Sequence, residues 1–158
     1  MKKSLILFAL LLTSTAIFAQ SSADETAIKA VLEGHTQAGM DDDTERAVGY
    51  FADSPHTAIS YQDGSGYIRG HKAVKDKYRE VMNREGFNKS PDKLTTGDYL
   101  YRIMGSTAFV TYVETKTKPD GTAARTHKAN YLEKEMGNAS VAQWKMIGNF
   151  WMPEQKAK

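Results

Sequence analysis

The chain has 158 residues, with 21 Lys and Arg against 19 Asp and Glu and no Cys. Without cysteine it can form no disulfide, no thiolate zinc site and no thiol nucleophile. Its basic residues are interspersed with acidic ones, which argues against a phosphate-binding surface and so against nucleic acid as a partner.

The N-terminal segment has the order of a secretory signal peptide. Two lysines precede the apolar run from Leu5 to Leu12, which is too short to span a bilayer, and small residues continue to Ala19. Cleavage after Ala19, or alternatively after Ala16, removes the two lysines and leaves 19 basic and 19 acidic residues. We therefore expect a signal peptide over 1–19 and a single domain over 20–158. The mature protein is expected to be soluble, exported to the periplasm or beyond the cell, and free of membrane contact.

The first half of this domain is predicted to hold three helices, with two short strands between the second and the third. Apolar residues at helical spacing predict helices from Ser22 to Gly39, around Ala47 to Phe51, and from His71 to Asn83. The β-like segments are Thr57 to Gln62 and Tyr67 to Arg69.

The second half changes to the two-residue period of β-strands. Gly-, Pro- and Asn-containing turns separate four strand candidates: Leu94 to Met104, Thr107 to Thr117, Thr122 to Met136, and Val141 to Met152. Helices followed by an antiparallel meander predict an α+β domain, with the helices on one face of a strongly bent sheet.

Three motifs occur along the chain in a fixed order: Ala47–Ala52 before the first strand, Gly70–Val74 at the start of the third helix, and Gln143–Phe150 in the last strand. In these motifs and in its element order the sequence resembles the nuclear transport factor 2-like superfamily, particularly its SnoaL-like and functionally unassigned bacterial branches. The resemblance implies a cystatin-like, cone-shaped antiparallel sheet wrapped around three N-terminal helices. It also implies a pocket at the open end and a homodimer formed through the outer sheet face.

Ketosteroid-isomerase-like members of this superfamily use a carboxylate base on the first strand. Counting back from Gly70 places Tyr61 at that position, and an unperturbed tyrosine keeps its proton until about pH 10, so it cannot serve as the base at neutral pH. Asp63 follows two residues later in a glycine-rich turn. It would reach the pocket only if this turn were a bulge.

His127 and Tyr131 project from one face of a predicted strand. If that face lines the pocket, His127 could act as acid or base while Tyr131 stabilises an oxyanion, as in dehydratase-like members. Arg125 and Glu133 share the face and favour an outward orientation, because charged residues are rarely buried unless paired. In that second register the inward residues are Thr126, Asn130 and Leu132.

The pocket is expected to be lined by aromatic and amide side chains, which suit an amphipathic organic ligand. His35 lies on the apolar side of the first helix, and the four histidines fall on separate elements, without metal-ligand spacing. We therefore expect no metal and no cofactor. The predicted lining residues are Tyr50, Tyr61, Tyr112, Trp144 and Asn149.

Three functions agree with these observations. The leading hypothesis is an exported domain that binds a small, partly apolar organic molecule, with no assigned reaction. The second is an isomerase or dehydratase of SnoaL-like type that uses His127 with Tyr131 or Asp63. The third is a dimeric assembly domain whose pocket is filled by its own side chains.

Overall fold

The structure is a computed structural model, and it describes residues 22–60, 66–83, 91–136 and 142–152. The predicted signal peptide lies outside these ranges, as do Tyr61 and Asp63.

Three helices precede the long strands, as the apolar spacing predicted. They are α1 (residues 22–40), α2 (Thr44–Gly49) and α3 (His71–Met82). The Asp43 side chain caps α2 by accepting a hydrogen bond from the backbone N–H of Arg46, which satisfies one of the free donors of the first turn. Within the described ranges, no helix is both long and apolar enough to cross a membrane.

The strands form one mixed, bent, six-stranded sheet in the order β2-β1-β6-β5-β4-β3. All neighbouring strands are antiparallel except β1 and β6, which are parallel. The chain between these two strands includes α3 and three long strands, a connection long enough for a parallel pair. The predicted α+β class is thus confirmed, with this one parallel pair added. The strands are β1 (Ala58–Ser60), β2 (Tyr67–Arg69), β3 (Lys93–Met104), β4 (Thr107–Thr117), β5 (Ala123–Met136) and β6 (Ala142–Met152).

One face of the sheet, here called the inner face, packs against the helices and forms the hydrophobic core. The opposite, outer face carries several exposed apolar side chains. Core residues alternate with outer residues along each strand, as the pleat of a half-buried sheet requires. The core includes Ile28, Leu32 and Val74 from the helices and Ala108, Val110, Leu132 and Met146 from the strands.

A β-bulge in β6 shifts the alternation of its side chains. Met146 lies opposite Leu132 and Gly148 lies opposite Tyr131, so Ile147 is the extra residue between them. Such an insertion exchanges the faces of all residues beyond it.

The bulge decides which residues of the last strand face the core. Strict alternation along the sequence would place Phe150 on the same face as Trp144 and Met146. Instead Asn149 and Trp151 share that inner face, because they pair with inward residues of β5. Phe150 lies on the outer face and is 36% exposed.

Candidate ligand-binding site

Polar and aromatic side chains form a patch on the inner face beside the apolar core. Lys128 and Asn130 are successive inward residues of β5. Tyr112 of β4 lies opposite Lys128, while Asn149 and Trp151 of β6 lie opposite Asn130 and Lys128. Four of these five residues are buried, with Trp151 partly exposed. We call this set the inner polar patch.

A hydrogen-bonded chain links the patch to the helices above it. Nδ2 of Asn149 donates to the Tyr78 hydroxyl at 3.3 Å, and that hydroxyl lies 3.0 Å from Nε2 of His35. The Tyr78 hydroxyl oxygen accepts from the amide nitrogen, and its hydrogen bond with Nε2 of His35 runs in the direction that the tautomer of the imidazole sets.

Burial keeps the groups of this chain uncharged. It lowers the pKa of His35 to about 3, with a further contribution from the positive charge of Lys128. Burial likewise raises the pKa of Tyr78 and of Tyr112, and the negative charge of Glu114 adds to both shifts. His35 and Tyr78 nevertheless keep part of their surface uncovered.

Lys128 of the patch forms a largely buried charge pair with Glu114 of β4. Nζ of Lys128 lies 3.4 Å from Oε1 of Glu114, and the two side chains are 5% and 13% exposed. The same Nζ sits 2.8 Å from the ring centroid of Trp151, over the negative face of the indole. Desolvation lowers the pKa of Lys128 to about 8, although the charge of Glu114 opposes this shift.

Several buried polar atoms have no hydrogen-bond partner among the described residues. They are both amide atoms of Asn130, Oδ1 of Asn149, the hydroxyl of Tyr99 and, outside the patch, Nε2 of His71. The Asn130 amide nevertheless lies close enough to the Tyr112 hydroxyl to oppose slightly the rise that burial causes in its pKa, so this contact is at best a poorly formed hydrogen bond. A buried polar group left unpaired costs about 1–3 kcal/mol, so a chain that needs only a packed core would place apolar residues here.

The fold was compared with known proteins. No family model matches the chain, and no curated protein sequence is significantly similar to it. A solved nuclear transport factor 2-like protein of unknown function from Pseudomonas putida superposes with a TM-score of 0.65 at 18% identity, covering 82% of this chain and 86% of that one. The chain has the nuclear transport factor 2-like fold.

Two further solved structures with the same degree of likeness carry functional names. One, provisionally named as an association domain of calcium/calmodulin-dependent protein kinase type II from Thiobacillus denitrificans, has a TM-score of 0.65 at 17% identity, over 80% of this chain and 94% of that chain. The other, provisionally named as a scytalone dehydratase from Novosphingobium aromaticivorans, has a TM-score of 0.64 at 13% identity, over 85% and 86%. At these identities the likeness establishes the fold alone.

Within this nuclear transport factor 2-like fold, His127 and Tyr131 stand on the outer face. His127 is exposed and lies opposite Val113, and Tyr131 lies opposite Phe109. The interpretation that places His127 and Tyr131 in the pocket is therefore wrong. The second register is the correct one, and in it Asn130 and Leu132 face inward and are fully buried.

The predicted lining residues lie in different places. Tyr112 and Asn149 belong to the inner polar patch. Trp144 is buried beneath the start of α1, where its Nε1 donates to Asp24 at 3.1 Å. Tyr50 packs edge-on against His35 of α1, with ring centroids 6.3 Å apart.

Sequence reasoning missed Lys128, although a signal for it was present. A lysine is expected at the surface, because charged side chains are rarely buried unless they are paired. The two-residue period nevertheless places it on the face of Asn130 and Leu132. Its partner Glu114 lies on β4, where only strand pairing reveals it.

No group of three potential metal-ligating side chains occurs in the described part of the chain. The absence of a metal or cofactor stays a prediction.

Proposed function

We propose that the chain binds a small, partly apolar organic molecule between its helices and the inner polar patch. The observation that carries the proposal is the pair of buried amides, Asn130 and Asn149, which together leave two amide oxygens and one amide nitrogen without a well-formed hydrogen bond in the described part of the chain. A ligand that supplies a donor and an acceptor would remove their desolvation cost.

The surrounding rings suit an apolar, flat ligand body. Tyr99 stacks on Tyr112 with centroids 5.2 Å apart, and on Tyr101 with centroids 5.8 Å apart. Parallel rings of this kind offer a flat surface for another aromatic or alicyclic ring.

A ligand screen with two matched variants tests this proposal. Thermal shift and calorimetric titration are run with steroid-like, polyketide-like and naphthalene-based compounds on the wild type, on Asn149→Leu and on Tyr131→Phe. We expect a ligand that raises the melting temperature of the wild type and of Tyr131→Phe, which alters only the outer face, but not that of Asn149→Leu. Stabilisation by no compound, or equal stabilisation of Asn149→Leu, would refute it.

An isomerase or dehydratase is the second candidate, favoured by the name given to the Novosphingobium protein. His35 is poorly suited to be its base, because a group with a pKa of about 3 holds a proton weakly at neutral pH. Asp63 remains the carboxylate proposed for that role. Ketosteroid isomerisation followed by absorbance would support the enzyme if turnover occurs and Asp63→Asn abolishes it.

The outer face fits the homodimer that the family resemblance implies. Register places exposed Leu100 and Phe150 in one row across the sheet, and Phe109 and Met152 lie in the flanking rows. Contiguous exposed apolar side chains are typical of protein interfaces. We propose that two copies pair through this face. Sedimentation of the wild type as a monomer, or an unchanged dimer in Phe109→Lys, would contradict it.

A further inference from the structure

Lys128 occupies a place where packing alone would favour an apolar residue. Its inward neighbours on β5, Asn130 and Leu132, are fully buried, and Lys128 itself is 4% exposed. A buried ion pair often stabilises a fold no better than well-packed apolar residues of similar volume. The amine therefore calls for an explanation beyond stability.

The amine lies beside a proton acceptor and an aromatic surface. Glu114 provides a carboxylate oxygen at 3.4 Å from Nζ, and the indole of Trp151 lies under the same atom. Tyr112 stands across from Lys128 on the neighbouring strand. Glu114 and Trp151 both keep some exposed surface, so only a single layer of side chains separates the amine from solvent.

The same surroundings make the amine reactive. Burial lowers the pKa of Lys128 to about 8. Near pH 7.5 this gives it on the order of 100-fold more of the neutral, nucleophilic form than an ordinary lysine has. Desolvated lysines of this kind form Schiff bases with carbonyl compounds.

From this geometry we propose that Lys128 holds an aldehyde or ketone ligand as a reversible imine. The lone pair of Nζ attacks the carbonyl carbon, and the Glu114 carboxylate carries one proton from the nitrogen to the carbonyl oxygen, which gives a neutral carbinolamine and leaves Glu114 ionised again. Glu114 then carries the remaining proton of the nitrogen to the hydroxyl group, which leaves as water while the C–O bond breaks and the C=N bond forms. One amine and one carbonyl give one imine and one water, without oxidant or reductant.

The expected ligand is therefore a carbonyl compound attached to a flat ring. Its ring would lie against Trp151 and Tyr112, and its remaining polar groups would meet Asn130 and Asn149. This inference rests on the proposed binding function, because it needs the ligand to occupy the inner polar patch.

Reductive trapping of the imine tests whether Lys128 reacts with a carbonyl compound. The whole protein is mixed with substoichiometric 2-naphthaldehyde and sodium cyanoborohydride near pH 7.5, digested, and mapped by mass spectrometry, with Lys72, whose side chain is 90% exposed, as the internal reference. We expect the naphthylmethyl adduct on Lys128 to exceed that on Lys72 by about tenfold or more, since the neutral fraction of the buried amine is larger. Equal or smaller labelling of Lys128 would overturn the proposal.

Two variants and one non-reactive ligand sharpen the result. Lys128→Arg keeps the positive charge beside Glu114 but cannot form the imine, so the fast labelling should disappear; if total labelling is unchanged, the proposal fails. At about pH 9.5, where Lys128 with its pKa of about 8 is already mostly neutral in both proteins, Glu114→Gln should slow labelling of Lys128 through loss of the proton carrier, without moving that of Lys72. Naphthalene-2-methanol has the same ring without a carbonyl. If naphthalene-2-methanol binds but the aldehyde is not trapped, the imine is refuted and the proposed binding function stands. If neither naphthalene-2-methanol nor 2-naphthaldehyde binds, the result counts against both the imine and the binding function.

Discussion

His35 should make the stability of the domain depend on pH between neutrality and pH 5. In the folded chain burial lowers its pKa from 6.5 to about 3. Below pH 6.5 the unfolded chain therefore binds a proton that the folded chain excludes, and the free energy of unfolding falls as the pH falls. This loss amounts to about 1.4 kcal/mol per pH unit, or about 2 kcal/mol between pH 6.5 and pH 5. The partly uncovered surface of His35 reduces it to about 1–2 kcal/mol.

Urea unfolding followed by tryptophan fluorescence at about pH 7.5 and about pH 5 measures this difference directly. His35→Gln is the decisive variant, because its side-chain amide can still form a hydrogen bond with the Tyr78 hydroxyl but cannot titrate. His127→Gln, on the exposed outer face, controls for the substitution itself. Staying above about pH 5 limits the contribution of surface carboxylates, whose protonation matters at lower pH.

We expect the wild type and His127→Gln to lose about 1–2 kcal/mol more than His35→Gln on acidification over this range. The same loss in all three proteins would refute the reasoning, since it would show that His35 is not held neutral by its burial.

Three further substitutions have definite expected outcomes. Asn130→Leu removes two buried amide atoms that lack well-formed hydrogen bonds, so the free energy of unfolding in urea should rise by about 1–3 kcal/mol while ligand binding is lost. A lower free energy of unfolding would mean that the amide has a partner. Glu114→Gln leaves the Lys128 ammonium without its counter-charge and should lower the free energy of unfolding by about 2–4 kcal/mol at neutral pH. Adding Lys128→Met should recover most of this loss, and a double variant as unstable as Glu114→Gln alone would contradict the pairing. In α1, a Cβ at Gly34 would overlap the Tyr50 hydroxyl. Gly34→Ala should therefore lower the melting temperature despite the better helix propensity of alanine, and a higher melting temperature would show that Tyr50 moves freely.

The strands β4 and β5 could be predicted from sequence because their two-residue period is unbroken. Thr107–Thr117 was predicted with the bounds that the structure has, and β5 differs by one residue at its start. The bulge at Ile147 could not be read in the same way, because it depends on the partner strand and leaves no break in the apolar pattern.

The candidate site was less accessible to sequence reasoning, because it is built from residues far apart in the chain. His35 showed no partner nearby, and its partner Tyr78 lies 43 residues away on another helix. Lys128 was not among the predicted site residues, because a lysine is rarely buried unless it is paired, and its partner Glu114 lies on another strand. Asn130 was identified only as the alternative inward residue, and its missing partners become visible only once the neighbouring strands surround it.

The claim that a ligand contacts the buried amides can be tested by nuclear magnetic resonance. The side-chain NH2 signals of Asn130 and Asn149 are assigned with the help of the two Leu variants. They are then followed while the tightest compound from the ligand screen is added to the wild type. The account predicts that both signals shift in proportion to occupancy, while the backbone signals of His127 and Phe109 on the outer face stay in place. Shifts confined to the outer face, with both amide signals unmoved at saturation, would contradict it.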